Sequence, residues 1–264
     1  MDLGLTGKRA VVTGASRGIG LAVALGLAAE GADVALVARD RAALDAAAGR
    51  VGGLGVRALP VVADTSDDAA VRAMVDRVVA EWGGVDVLVN AAATPAGGPV
   101  PALADLTDDA MRAEFETKVL GYLRCARAVA PHMVAQGGGR IVNVSGLAAR
   151  QSGSIAGSVR NVAVAALTKN LADELGPAGV GVTVVHPGLT VTERIPALFA
   201  ARAEAQDTTP DEVAAAFGAA TSIGRLPTAE EVADVVVFLC SPRSVAVTGD
   251  AVAAGGGARG AIHY

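Results

Sequence analysis

Short apolar runs, bounded by Gly, Pro or polar residues, alternate with segments of helical period along most of the chain. RAVVT (9–13), DVALVA (33–38), VRALPVV (56–62), VDVLVN (85–90), GRIVNVS (139–145) and GVTVVHP (181–187) are continuous enough to be strands covered on both faces. Between them the period lengthens. Val71, Met74, Val75, Val78, Val79 and Trp82 form one apolar stripe. Further helices are predicted over 18–30, 107–136, 154–176 and 228–240, the last opening with Thr228 and Glu231 at capping-box spacing. Parallel strands need crossover connections, so this alternation predicts an α/β doubly wound parallel sheet with helices on both faces. Residues 193–224 break the alternation and read as an inserted helical lid. Their Ala-rich composition suggests an apolar pocket. No repeat or linker divides the chain, so 1–264 is read as one domain.

With 52% apolar but only 3% aromatic residues, the core must be made of Ala, Val and Leu. The net charge of −5, without a basic block or aromatic platform, argues against nucleic acid as a partner. Cys125 and Cys240 lack metal-ligand spacing and read as buried thiols in a reducing compartment. No metal site is expected. Neither a signal peptide nor a membrane-spanning run is evident, so a soluble cytoplasmic protein is expected.

TGASRGIG (13–20) follows the first strand and opens the first helix. Gly14 permits a tight turn, and Gly18 and Gly20 allow close approach of a ligand to a helix N-terminus, with Ser16, Arg17 and Ile19 completing the loop. In that strand–loop–helix setting the pattern points to a dinucleotide.

The Gly-x-x-x-Gly-x-Gly spacing resembles the short-chain dehydrogenase/reductase family, and the likeness runs through nearly the whole chain. VVADTSD (61–67) is similar to that family's adenine-contacting segment, which puts Asp64 beside the base. NAAA (90–93) is similar to its Asn-Asn-Ala-Gly turn, and HPGLTVT (186–192) to its Pro-Gly-x-x-x-Thr segment. The resemblance therefore implies cofactor roles for Asn90, Pro187, Gly188 and Thr192. GRLPTAEEVADVVVFLCS and VTGDAVAAGGG are similar to the family's last helix and strand, which implies a single-domain Rossmann fold of about seven strands. Members that bind NAD carry an acid at the end of the second strand, where this chain has Ala38 followed by Arg39. Arg39 and Arg17 offer two guanidinium forks for a 2′-phosphate, so NADP(H) is favoured over NAD(H).

The family's proton donor is the tyrosine of Tyr-x-x-x-Lys, supported by a serine and an asparagine. Here the only tyrosines are Tyr122 and Tyr264 and the only lysines Lys8, Lys118 and Lys169, so no pair has that spacing. Aligning the segments puts Gly157 at the tyrosine, Asn161 at the lysine, Gly146 at the serine and Lys118 at the asparagine. Lysine and asparagine have exchanged places. Ser145 stands one residue early, where strand alternation would turn it away. Lys118, Ser145 and Asn161 are the candidate catalytic residues, with Lys118 expected to supply positive charge near the nicotinamide ribose or else to be a solvated surface lysine. Tyr122, four residues after Lys118, is an alternative acid, as are His186 and, from a neighbouring subunit, His263 and Tyr264. Arg160 suits anion binding better than proton transfer. Two functions stay open: an NADP(H) oxidoreductase acting on an apolar carbonyl, alcohol or enone by a non-standard proton relay, and a silent NADP(H)-binding sensor or structural subunit. The resemblance also implies a homodimer or homotetramer.

Overall fold

The computed structural model describes residues 1–93 and 100–259. Seven parallel strands form one sheet in the order β3-β2-β1-β4-β5-β6-β7: β1 Arg9–Thr13, β2 Asp33–Ala38, β3 Ala58–Val62, β4 Val87–Asn90, β5 Gly139–Val144, β6 Val180–Pro187 and β7 Ala251–Ala254. The middle strands are buried on both faces, as their unbroken Val-rich runs require. Helices α1 (Gly18–Ala29), α2 (Arg41–Gly52) and α9 (Ala229–Cys240) enclose one core with Val12, Leu36, Val89 and Val142. On the other face α3 (Asp68–Trp82), α5 (Gly121–Ala135) and α6 (Ile155–Leu175) close over Val11, Val37, Leu88 and Ile141. Both cysteines are free and buried, and Ala, Val and Leu dominate both cores.

The predicted helix over 107–136 is three pieces: α4 (Asp108–Glu114), a π-helical turn (Phe115–Leu120) and α5. The α2 helix had no clear signal in the sequence, because its buried positions are Leu44, Ala47, Ala48 and Val51, two of them alanine. Asp40 starts it by accepting a hydrogen bond from the Ala43 N–H. Strands β3 and β4 each begin two residues later than their apolar runs. In front of β4, the Asp86 carboxylate is taken up by the Arg9 guanidinium at 2.6 Å. The insertion is helical as expected, with α7 (Ile195–Gln206) and α8 (Pro210–Ala219) joined by stacked Phe199 and Phe217 rings 5.6 Å apart. No helix among the described residues is long and apolar enough to cross a membrane.

The connections reverse direction between β1 and β4, which opens a crevice at the carboxyl ends of the strands.

Candidate active site

A cavity of about 980 Å³ fills that crevice and runs from the β1–α1 loop to the lid. At its β1 end two glycines have no room for a side chain. Gly14 has φ +68°, and a Cβ on it would lie 2.8 Å from the Ala91 carbonyl oxygen; one on Gly20 would lie 2.3 Å from that of Gly14. Thr13 Oγ1 accepts hydrogen bonds from the Ala91 and Ala92 N–H groups, which fixes the facing turn. Helices α2, α3, α4, α6, α8 and α9 are each capped by an Asp, Ser or Thr side chain. Arg17, by contrast, precedes α1 without capping it, and the first turn of α1 holds no acid. The positive end of that helix faces the cavity. A cradle with no Cβ and an uncapped helix N-terminus fit the diphosphate of a dinucleotide.

Ser16, Arg17, Gly18, Ile19, Gly20, Arg39 and Asp64 line this end, and Pro187, Gly188 and Thr192 line the opposite wall. Thr192 closes over the loop: a Cβ on Gly18 would sit 3.6 Å from its Cγ2. The Ser66 N–H and hydroxyl hold the Asp64 carboxyl below its usual range, and Arg39 Nη1 lies 3.7 Å from it. The Arg39 side chain is 70% exposed, so it is free to meet a ligand. Asn90 is placed differently from the other cofactor candidates. It is buried in β4, its Nδ2 donates to Asn143 Oδ1 at 2.9 Å, and it does not line the cavity. Its contribution is to the framework under the turn.

At the other end the exchanged residues meet through a third. Lys118 sits in the π-helical turn, only 5% exposed, and its Nζ donates to the Ser145 carbonyl oxygen at 2.8 Å. The solvated-surface alternative is thereby excluded. Burial lowers its pKa from 10.5 to about 7, with the nearby Arg160 charge acting in the same direction and Glu114 opposing. Ser145 Oγ donates to the carbonyl and Oδ1 oxygens of Asn161, at 3.1 and 3.2 Å. Lys118 and Asn161 are therefore held by the two polar ends of one serine. All three line the cavity. Ser145 lies just beyond β5, so the alternation that would turn it away no longer applies.

The two glycines differ. Gly146 lines the cavity, and a Cβ on it would stand 3.1 Å from Asn161 Nδ2. Gly157 does not line it. The Gly157 N–H donates to Ser154 Oγ, which caps α6, and a Cβ there would meet that oxygen at 2.8 Å. A side chain at 157 would require the Ser154 hydroxyl to shift.

Tyr122 is no acid in this geometry. Its hydroxyl donates to the Val144 carbonyl oxygen at 2.8 Å, away from the cavity, and burial pushes its phenol further up from its usual range. His186 is buried in β6 and is not part of the cavity wall. His263 and Tyr264 lie outside the described residues. The lid side is only partly apolar: Leu147, Leu189, Phe217 and Leu226 share it with Gln151, Arg160, Glu193 and Arg194. Arg160 is ion-paired with Glu114. The sequence carries no signal of that carboxylate's role, because Glu114 and Lys118 have the spacing of an ordinary exposed helix pair. Among the described residues no group of three or more His, Cys, Asp and Glu side chains is placed to hold a metal ion.

Residues 8–203 match the family model described as short chain dehydrogenase. The short-chain reductase protein NovJ of Streptomyces niveus is 37% identical, over 94% of this chain and 92% of its own length. Cyclohexanol dehydrogenase of Rhodococcus sp. strain TK6 is 35% identical, over 97% of each. The crystal structure of L-sorbose reductase from Gluconobacter frateurii, complexed with NADPH and L-sorbose, superposes with a TM-score of 0.92 at 32% identity. The match covers 99% of this chain and all of that one. The chain belongs to the short chain dehydrogenase family and by that membership is an oxidoreductase.

Proposed function

We propose that the protein transfers hydride between NADP(H) and a small carbonyl, alcohol or enone substrate, with Lys118 holding the proton that the family's tyrosine would hold. The observation that carries this reading is the buried Lys118 ammonium in the cavity wall, bound to the Ser145 carbonyl. NADP(H) is favoured over NAD(H) because Arg17 and Arg39 line the nucleotide end, where planar guanidinium forks suit a 2′-phosphate. The NADPH complex of the L-sorbose reductase supports the same choice. When bound, the nicotinamide supplies the hydride acceptor or donor.

The chain's own residues account for the proton. An ammonium with a pKa of about 7 donates to a carbonyl oxygen as hydride reaches its carbon, which leaves a neutral amine; in alcohol oxidation the neutral amine takes the proton back. Ser145 and Asn161 orient Lys118 through the serine carbonyl and hydroxyl. Reduction needs the charged form, so its rate should fall as pH rises through about 7, and oxidation should show the opposite slope.

The test is NADPH binding by fluorescence followed by turnover on ketone, aldehyde and enone panels. Lys118→Met is expected to lower kcat by about 10²–10⁴ while NADPH still binds. Unchanged turnover in that variant would refute the role of Lys118. A second reading, a silent NADP(H)-binding sensor or structural subunit, is favoured by one observation: Gly157, aligned with the tyrosine, brings no side chain and does not line the cavity. Tight NADPH binding with no oxidation on any panel would select it. We also infer a cytoplasmic homodimer or homotetramer. Ile155, Val159 and Val162, exposed on α6, give an apolar surface for a second copy, and light scattering reads the assembly.

A further inference from the structure

Arg160 stands three residues after Gly157 on α6, and its side chain reaches the cavity wall while remaining 14% exposed. Only one part of the guanidinium is engaged. Nη1 is paired with Glu114 Oε2, which ties α6 to the end of α4. Nε is buried without a hydrogen-bond partner among the described residues. The Nε–H and one Nη2–H of arginine point the same way and form a two-pronged donor edge. A buried donor left unpaired is costly, so Nε is the prong of this edge that gains most from an acceptor.

The surroundings narrow the chemistry. Lys118, Arg160 and Arg194 face the cavity against Glu193, and Glu114 is already taken. Leu147, Leu189, Phe217 and Leu226 cover the rest of that end with hydrocarbon. A carboxylate presents two oxygens at the spacing of the free edge.

We propose that Arg160 anchors the substrate by a carboxylate, which makes the substrate an oxo or hydroxy acid with an apolar body. This rests on the proposed reading of the cavity as the active site. The assignment replaces the purely apolar pocket expected from the lid's composition. The carboxylate occupies the Nε–Nη2 edge while Glu114 keeps Nη1, so Glu114 orients the guanidinium rather than competing for the ligand.

Isothermal titration of the NADPH-saturated protein with two matched probe pairs, benzoate with benzamide and hexanoate with hexanamide, tests this. The wild type is expected to bind at least one acid tenfold or more tighter than its amide. Arg160→Met should abolish that preference with the NADPH affinity unchanged. Because that variant strands Glu114, the double variant Arg160→Met/Glu114→Gln removes both charges and gives the same reading if the single variant misfolds. Glu114→Gln alone should keep the preference. Equal binding of acid and amide in both wild-type pairs, or a preference that survives the loss of Arg160, overturns the proposal. Repeating the titration without NADPH separates the two inferences: failure of NADPH to bind counts against the cofactor reading, while the acid–amide difference still reports on Arg160.

Discussion

Lys118 carries its ammonium only 5% exposed to water, and that has a cost the whole chain shares. In the unfolded chain its pKa is the ordinary 10.5; in the folded protein it is about 7, set by burial first and by Arg160 second, with Glu114 working against both. Below about 7 both states hold the proton and the full burial penalty weakens the fold. Between about 7 and 10.5 the unfolded state binds a proton that the native state lacks, so stability rises with pH. Lys118→Met removes the titration. Its melting temperature relative to wild type should be highest near pH 6, and the gap should shrink by about 4–8 °C toward pH 9 for ~2 kcal/mol of relief. A gap independent of pH in calorimetry would show that the amine keeps its ordinary pKa. Arg39 works at the opposite end of the cavity, and there exposure makes a cleaner experiment. Arg39→Ala should weaken NADPH about tenfold, the loss of one charge-assisted hydrogen bond worth ~1.5 kcal/mol, and leave NADH unchanged. Equal losses for the two nucleotides would show that Arg39 does not read the phosphate.

At the scale of elements, the decisive piece is the π-helical turn Phe115–Leu120 between α4 and α5. Such turns accommodate one extra residue inside an otherwise regular helix. They also rotate the helix before the turn by about 100° relative to the helix after it, the angle of one residue in a helix of 3.6 per turn. Lys118 lies in the turn, Glu114 just before it and Tyr122 just after it. Deleting Val119 should let the three pieces run together as regular helix, with Leu120 taking its place. The Lys118 amine would then leave the Ser145 carbonyl. The expected result is helix content within a few per cent of wild type by circular dichroism and turnover reduced to the Lys118→Met level. Wild-type turnover in the deletion variant would show that the extra residue does not aim the amine.

For the molecule as a whole, the strands and the cofactor cradle were legible because their causes are local. Unbroken Val-rich runs bounded by Gly, Pro or polar residues favour strands, buried in β1, β2 and β4 though not in the edge strand β3, and Gly14 and Gly20 sit where no Cβ fits. The absence of a Tyr-x-x-x-Lys pair was legible too, since counting tyrosines and lysines needs no coordinates. What stayed hidden depends on non-local packing. Glu114 and Arg160 are 46 residues apart and meet only because α4 folds against α6. Nothing in FETKVL announces that its lysine is buried, and the α2 helix was masked by alanines that suit a core as well as a surface. Asn90 matched a cofactor segment, yet its amide serves the strand beside it.

The uncapped start of α1 has a consequence beyond ligand affinity. Six other helices carry their own stop against fraying, whereas α1, which packs on α9 and the central strands, has none built in. Under the proposed reading, the nucleotide is the missing cap. Each release of product nucleotide would then loosen the first turn of a helix in the core, so the nucleotide pool around the protein would govern its lifetime as well as its turnover.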